Sequence, residues 1–206
     1  MLIFGPMIRV LLLAAFSCTA NIFAQIVQDT AFVEVSRGLV LDMKYATDDN
    51  FLGKNVYGCA KCLLRNAAAE ALLNANETFV EKGYRIKVFD CYRPIDVQQK
   101  MWALVPNPVY VADPKKGSIH NRGAAVDITL VDASGKELDM GTGFDHFGPK
   151  SAHGYKKLPS RIRKNRKLLR RIMEAHGFKA FESEWWHYNL AGASALPLAN
   201  KSWDCD

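Results

Sequence analysis

Two short segments, far apart in the chain, contain the side chains that a hydrolytic zinc site requires. The first segment carries His120 and Asp127, and the second carries Glu184 and His187. Two imidazoles and one carboxylate would give zinc three protein ligands and leave its fourth tetrahedral position open, as in catalytic rather than structural sites. Glu184 then remains as a candidate base for a water molecule in that position. The sequence therefore predicts a hydrolytic site with one zinc ion.

The spacing within each segment indicates that the chain bends there. His120 and Asp127 are seven positions apart, and Glu184 and His187 are three apart. Because side chains alternate between the two faces of a strand, odd separations on a regular strand would place each pair on opposite faces. We therefore expect a turn over 121–123. We also expect Glu184 at the entry to the last strand, or beyond a bulge, with His187 inside the strand. This arrangement differs from the helical H-E-x-x-H motif, whose two histidines share one helix face.

Arg93 is a candidate partner for the negative charge that develops during hydrolysis. It lies at the end of a predicted strand and just before a predicted helix, where functional residues often occur. A guanidinium group in that place could stabilise an oxyanion. The alternative is a surface salt bridge without a catalytic role, and the residue alone does not decide between the two.

The remaining pattern predicts a mixture of strands and helices. Apolar residues with a period of two predict strands at 38–45, 84–90, 126–131 and 185–190, with 136–140 as a hairpin partner. Helical spacing bounded by proline or glycine predicts helices at 63–82, 94–104 and 160–176, and the predicted loops are 46–60 and 106–117. Because strands and helices do not alternate regularly, the pattern favours an α+β domain over a doubly wound sheet.

The first 24 residues differ from the rest of the chain. The whole chain has 206 residues, 49% of them hydrophobic and 23% charged, which is typical of a single globular domain. Arg9 precedes the apolar run 10–16, which is too short to cross a bilayer and is followed by small residues. This pattern predicts a signal peptide over 1–24 and a mature domain over 25–206. We therefore expect an exported, periplasmic or secreted protein without stable membrane insertion, with lipid attachment through Cys18 as the less favoured alternative.

The charge of the chain is modestly basic. The formal net charge is +6, and removal of a leader containing Arg9 would lower it to +5. A net positive charge of this size favours binding to acidic surfaces in general and does not indicate nucleic acid as a partner. The densest basic run, 156–171, is interleaved with apolar residues at nearly helical spacing, which is typical of a solvated helix face. We expect no nucleic-acid partner.

Four cysteines remain in the predicted mature chain: Cys59, Cys62, Cys91 and Cys205. An even number in an exported chain suggests disulfides, and four cysteines allow three complete pairings. No second C-x-x-C accompanies the pair at 59 and 62 to complete a structural zinc site. We expect a bridge between Cys62 and Cys91, with Cys59 and Cys205 as the weaker second pairing.

Five segments together resemble the VanX-type D-alanyl-D-alanine dipeptidases. They occur in the family's order over nearly all of the predicted mature chain, and they are Tyr45–Phe51, Asp90–Pro94, Ser118–Asp127, Met140–Asp145 and Glu184–Tyr188. The resemblance implies an α+β fold with a small antiparallel sheet flanked by helices. That fold is shared more distantly with D,D-carboxypeptidases and with the hedgehog signalling domain.

The resemblance also implies roles for single residues. The implied site consists of the zinc ligands His120, Asp127 and His187, the base Glu184, the transition-state partner Arg93, and the substrate-binding residues Ser118, Asp145, Tyr45 and Asp49. Among the substrate-binding residues, Asp145 matches a position near the ammonium group of the substrate. The connection 106–117 is shorter than in some members of the family, and it could wall the pocket.

These expectations favour one function and leave two alternatives open. The main hypothesis is an exported zinc peptidase that hydrolyses the small D,D-dipeptide D-alanyl-D-alanine in the turnover or recycling of peptidoglycan peptides. The nearer alternative is a zinc D,D- or L,D-carboxypeptidase or endopeptidase that acts on longer peptidoglycan stems. The other is a non-catalytic zinc domain that binds the wall, although such a domain would need neither Glu184 nor Arg93.

Overall fold

Seven strands form two sheets in residues 31–108 and 110–205, which are the residues that the computed structural model describes. In chain order they are β1 (Phe32–Glu34), β2 (Val40–Leu41), β3 (Leu63–Arg65), β4 (Tyr84–Asp90), β5 (Ala125–Asp132), β6 (Phe178–Ala180) and β7 (His187–Leu190). The larger sheet has the order β2–β4–β5–β7–β6, and β1 pairs with β3 in the smaller one. The predicted leader lies outside the described residues.

The described residues form three α-helices: α1 (Asn66–Val80), α2 (Ile95–Leu104) and α3 (Ser160–Ala175). Each buries an apolar stripe at helical spacing, as Leu72 and Phe79 do on α1 and Leu169 and Met173 do on α3. α1 packs on β4 and on α3, and α3 also contacts β6. Among the described residues, no helix has the length and hydrophobicity needed to span a bilayer.

The core lies between the larger sheet and the helices. Seven of the eight residues of β5 are buried, because β5 is a central strand that is covered on both faces. The largest fully buried side chains include Phe79, Ile86, Ile128, Leu130, Leu169, Met173, Trp186 and Tyr188. Because β5 is packed on both faces, its backbone holds the side chains near its ends in defined positions.

The predicted α+β class is confirmed, but the predicted antiparallel sheet is only partly right. β2 pairs with β4 in parallel, whereas the other neighbours in the larger sheet are antiparallel. The predicted strand 38–45 is mostly wrong, because the chain leaves the sheet after Leu41 and forms a 3-10 turn at Lys44–Ala46. Met43 and Tyr45 are both buried without being in a strand, and that burial explains their apolar alternation.

Two further boundaries differ from the prediction. The helix predicted from 63 begins at Asn66, because the three residues before it pair with β1. The predicted hairpin partner 136–140 is reduced to a single bridge between Val131 and Glu137. β1 and β6 have three residues each, which is too short for a period of two to be recognised.

Candidate metal centre

His120 is placed by a tight turn that precedes β5. The turn is a 3-10 helix over His120–Arg122, and it ends at Gly123, whose φ is 69°. A Cβ atom on Gly123 would lie 2.4 Å from the ring of Phe32, so both the backbone angle and the space require glycine. The predicted bend between His120 and Asp127 is therefore present, and it turns the imidazole back toward the start of β5.

Asp127 and His187 are placed by strand register. β5 and β7 are antiparallel neighbours, and these two residues lie directly opposite each other. Side chains of such a pair lie on the same face of the sheet within contact distance. Since His187 is the first residue of β7, the pair lies at the beginning of this strand, next to the turn that carries His120.

The three side chains converge closely enough to hold one metal ion. One ligand atom from each of His120, Asp127 and His187 lies within 4.8 Å of the other two. Nδ1 of His187 is 3.0 Å from Oδ1 of Asp127 and 3.2 Å from Nε2 of His120. Nε2 of His120 is 3.4 Å from Oδ2 of Asp127. The predicted ligand set therefore forms a single cluster.

The outward nitrogens of the two histidines show that this cluster fits a cation. Nδ1 of His120 is 2.6 Å from the carbonyl oxygen of Cys91, and Nε2 of His187 is 2.9 Å from Oδ1 of Asn189. Both oxygens can only accept hydrogen bonds, so each outward nitrogen carries the proton. The inward nitrogens then present lone pairs to each other and to the carboxylate, which is the donor set and outer hydrogen bonding of zinc sites.

The electrostatics of the cluster favour the ionised form of Asp127. Burial alone would raise the pKa of Asp127, but its interactions with His120 and His187 outweigh that effect and lower the pKa. Burial would lower the pKa of His187, yet the neighbouring carboxylate of Asp127 raises it by stabilising the protonated form of the imidazole. The negative charge of the ionised Asp127 would attract a divalent cation to the cluster.

Glu184 lies in the turn that leads into β7, as predicted. Its backbone N–H donates to Phe181, and its carbonyl oxygen accepts from the N–H of His187. Its Oε2 is 3.9 Å from Nδ1 of His187, which is too far for a hydrogen bond but adjacent to the metal-facing atoms. Burial raises the pKa of Glu184 above its ordinary value, although His187 lowers it. A carboxylate with a raised pKa beside a metal position is suited to accepting a proton from water.

Arg93 is buried, and the alternative of a surface salt bridge is therefore wrong. Its Nη2 donates to Oδ2 of Asp90 at 2.6 Å, and its Nη1 donates to Oε1 of Gln98 at 3.0 Å. Burial would lower the pKa of Arg93, but the charge of Asp90 raises it well above its usual value. Its Nε–H is buried and has no hydrogen-bond partner within the described part of the chain.

A cavity of about 270 Å³ lies over the cluster. Three of the predicted substrate residues, Tyr45, Ser118 and Asp145, line it together with Arg93. Asp49 does not line it. The side chain of Asp49 is 78% exposed and forms a salt bridge with Lys44, because the turn around it is closed by local hydrogen bonds and directs Asp49 outward.

Asp145 has the features of a binding residue. Its φ of 54° lies in the left-handed region, which residues other than glycine seldom occupy and which is common at functional sites. Burial and the charge of Asp127 raise the pKa of Asp145 well above its usual value, while a hydrogen bond from the Tyr45 hydroxyl group at 2.9 Å lowers it. A cationic ligand would stabilise the ionised form of such a carboxyl group.

The comparisons with known proteins agree with this geometry. The family model described as D-ala-D-ala dipeptidase, Peptidase_M15, matches residues 27–204. This chain belongs to that peptidase family.

Two relatives in the D-ala-D-ala dipeptidase family show how far the similarity extends. The D-alanyl-D-alanine dipeptidase of Escherichia coli K12 is 40% identical over 81% of this chain and 86% of its own length. The Enterococcus faecium D-alanyl-D-alanine dipeptidase is 35% identical over 76% of this chain and 88% of its own length. A solved structure of the vancomycin-resistance D,D-pentapeptidase VanY aligns with 64% of this chain and 75% of its own at 18% identity and a TM-score of 0.41. Membership in this family makes the chain a metallopeptidase, and peptidases of the family depend on zinc.

Both cysteine pairs named from the sequence are disulfides in this member of the family. Cys62 is joined to Cys91, and Cys59 is joined to Cys205. The first bridge is fully buried, and the carbonyl group of Cys91 is the one that accepts from His120. This bridge therefore holds the backbone that orients a predicted metal ligand.

Several residues at the dipeptidase site were missed by sequence reasoning. They are Gln98 beside Arg93, Asn189 beside His187, and the cavity-lining Tyr110, Phe147 and Phe181. Asn189 had a usable signal, because residues two apart on a strand share a face. Gln98 had none, since its contact with Arg93 depends on the path of the chain around Pro94.

Proposed function

We propose that this chain is an exported dipeptidase that hydrolyses D-alanyl-D-alanine at one zinc ion held by His120, Asp127 and His187. The observation that carries the proposal is the convergence of these ligand atoms within 4.8 Å of one another. Glu184 and Arg93 face the same small cavity. The names of the curated relatives support the choice of dipeptide.

The first chemical step uses the metal position and Glu184. Zinc bound to the three ligands would lower the pKa of a water molecule and polarise the scissile carbonyl group. Glu184, whose carboxylate lies beside the metal-facing nitrogen of His187, accepts the proton of the attacking water. It then delivers that proton to the nitrogen of the leaving D-alanine, so the base is regenerated as the peptide bond breaks.

Arg93 stabilises the negative charge that the attack creates on the carbonyl oxygen. Its guanidinium group is held by Asp90 and Gln98 and lies 5.1 Å from the centre of the Tyr45 ring. Because these partners fix the group before substrate binds, little reorganisation is needed during the reaction. Arg93 lines the cavity in which that oxygen would bind.

Recognition of a short zwitterionic peptide fits the rest of the cavity. Asp145 supplies a carboxylate for the free ammonium group, and Ser118 supplies a polar group at the lining. The volume of about 270 Å³ suits a dipeptide better than a long peptidoglycan stem. These features support dipeptide hydrolysis over carboxypeptidase or endopeptidase action.

Export is the part of the proposal that rests on the leader and the disulfides. Residues 1–24 have the pattern of a signal peptide. Two disulfides are common in proteins that fold in an oxidising compartment and are rare in cytosolic proteins. We propose that the enzyme releases D-alanine from wall-derived dipeptide outside the cytoplasm, and fractionation of cells that express the full chain tests this location.

Product analysis separates the candidate functions. Purified protein is incubated with D-alanyl-D-alanine, L-alanyl-L-alanine and a stem pentapeptide ending in D-alanyl-D-alanine, and free alanine is measured. We expect rapid release from the D,D-dipeptide alone. Release only from the pentapeptide would favour a carboxypeptidase, and a zinc-loaded protein that cleaves none of the three would favour a binding domain.

A further inference from the structure

Gln98 connects Arg93 to the opposite wall of the cavity. It lies in the first turn of α2, and no part of it is exposed to solvent. Its Oε1 accepts a hydrogen bond from Nη1 of Arg93 at 3.0 Å. Its Nε2 donates to the carbonyl oxygen of Ala112 at 2.7 Å. One buried amide group therefore contacts both a proposed catalytic side chain and the loop after α2.

The chemistry of these two contacts requires an amide. Arg93 has only donors and needs an acceptor, whereas the Ala112 carbonyl group needs a donor. An ionised glutamate at 98 could accept from Arg93 but could not donate to Ala112. A methionine of similar size could do neither. The orientation of the amide is thereby determined by its partners, and it holds them at a fixed distance.

The loop that Gln98 holds forms part of the cavity wall. Pro108, Tyr110 and Ala112 all line the cavity. The ring of Tyr110 packs on that of Phe147, with centroids 4.3 Å apart. Phe147 follows the proposed ammonium-binding Asp145 by two residues. The wall near the substrate and the guanidinium of Arg93 are thus joined through a single buried side chain.

We propose that Gln98 is a positioning residue that fixes Arg93 for catalysis and ties it to the wall formed by Pro108, Tyr110 and Ala112. The inference rests on the proposed dipeptidase function. It predicts that Gln98 acts on turnover through Arg93 and not through general stability. Gln98 also positions the wall, and we expect this second effect in KM.

Five variants test the proposal. Each is assayed with D-alanyl-D-alanine for kcat and KM, and zinc content and Tm are measured on the same samples. Gln98→Met removes both contacts, and Gln98→Glu keeps the acceptor for Arg93 but removes the donor for Ala112. Gln99→Met is the matched control, because Gln99 is exposed on the same helix. The double variant Arg93→Ala/Gln98→Met is compared with Arg93→Ala alone.

We expect Gln98→Met to lower kcat by roughly tenfold to a hundredfold, since small misplacements of a catalytic group cost this much. Gln98→Glu should retain more of kcat than Gln98→Met while raising KM, because Arg93 stays held and the wall is released. In the Arg93→Ala background, Gln98→Met should change kcat by no more than about twofold, since the effects of coupled residues are not additive. Gln99→Met should behave as the parent protein does.

The outcomes separate the inference from the proposed function. A parent protein that does not hydrolyse the dipeptide would refute the function itself. An active parent in which Gln98→Met costs the same factor with and without Arg93 would overturn the positioning role and leave the function intact. Equal kcat values for Gln98→Glu and Gln98→Met would also overturn it. If Gln98→Met does not fold, Gln98→Glu becomes the deciding variant. The positioning role then predicts a kcat within about tenfold of the parent protein, and a larger loss would overturn it.

Discussion

On the metal side of the cavity, the functional side chains lie on paired strands and on the turns next to them. On the substrate side, the side chains lie on loops. The metal side consists of His120, Asp127, Glu184 and His187, and two of these face each other across β5 and β7. A strand register fixes such a pair to within the tolerance that a metal ion demands. Loss of any of these groups should therefore abolish chemistry.

The substrate side consists of Tyr110, Asp145 and Phe147, none of which lies in a strand or an α-helix. The side-chain contacts of these three residues include ring packing between Tyr110 and Phe147 and a hydrogen bond to Asp145 from Tyr45. Loops vary more readily than the scaffold that carries them. We therefore expect turnover to depend mainly on the metal side and substrate choice mainly on the loops, with Gln98 as a link between Arg93 and the wall.

The largest effect is expected on the metal side from Glu184→Ala. The three metal ligands remain, so zinc content should be unchanged, while kcat should fall by roughly a thousandfold or more because the proton acceptor is lost. Parallel metal analysis and alanine release measure both quantities. A zinc-loaded Glu184→Ala protein with full turnover would remove Glu184 from the mechanism.

The next effect is expected from Arg93→Ala. Loss of one preorganised donor to the oxyanion typically lowers kcat by about a hundredfold to a thousandfold. Arg85→Ala is the control, because Arg85 is an exposed arginine on β4, the strand that precedes Arg93. If Arg93→Ala raised KM and left kcat unchanged, Arg93 would belong to substrate binding instead.

On the substrate side, Asp145→Asn should act mainly on KM. A hydrogen bond to a charged group contributes about 1.5–3 kcal/mol, so KM for D-alanyl-D-alanine should rise by roughly tenfold or more. The parent protein should prefer the free dipeptide over its N-acetylated form, and the variant should lose most of that preference. An Asp145→Asn protein that still discriminates against the acetylated substrate would place the ammonium group elsewhere.

A smaller, pH-dependent effect is expected from His153, whose backbone N–H supports the turn before Glu184 by donating to Glu182. Burial, with added repulsion from Arg170, lowers the pKa of His153 from 6.5 to about 4. The folded state therefore binds fewer protons than the unfolded state between these values, and stability falls as the pH drops from 6.5 toward 4. Thermal unfolding across this range should show a decline in Tm that is reduced in His153→Gln. An unchanged decline in that variant would assign the acid sensitivity to other groups.

The smallest effect is expected from Asp49→Asn. Asp49 is exposed and pairs with Lys44 outside the cavity over the metal cluster, and exposed pairs contribute little. We expect kcat/KM to stay within about twofold of the parent protein. A large rise in KM would show that the substrate side extends to this turn.

The separation between the two sides also explains what could be predicted from the sequence. The odd spacing of His120 and Asp127 predicted the turn between them, because strand alternation is a local rule. The pairing of Asp127 with His187 joins residues 60 positions apart, and no local pattern reports such a register. The helices were found from their apolar stripes, with errors only at their ends.

The substrate side was predicted less well for a physical reason. Asp49 was wrongly grouped with the cavity because it lies in a segment that resembles the family, yet hydrogen bonds from Asn50 to Lys44 and Lys54 close that turn locally. The burial of Arg93 was equally hidden, since it depends on Asp90 and Gln98 meeting it from two elements. Loop geometry of this kind comes from tertiary contacts and leaves no periodic signal.

We expect hydrolysis of D-alanyl-D-alanine to require one zinc ion on the metal side. The most direct measurement is a titration of chelator-treated protein with zinc while alanine release is followed. Activity should be absent without metal and should rise linearly until one zinc ion is bound per chain. Full activity in metal-free protein, or zinc binding at that ratio without any alanine release, would contradict the account.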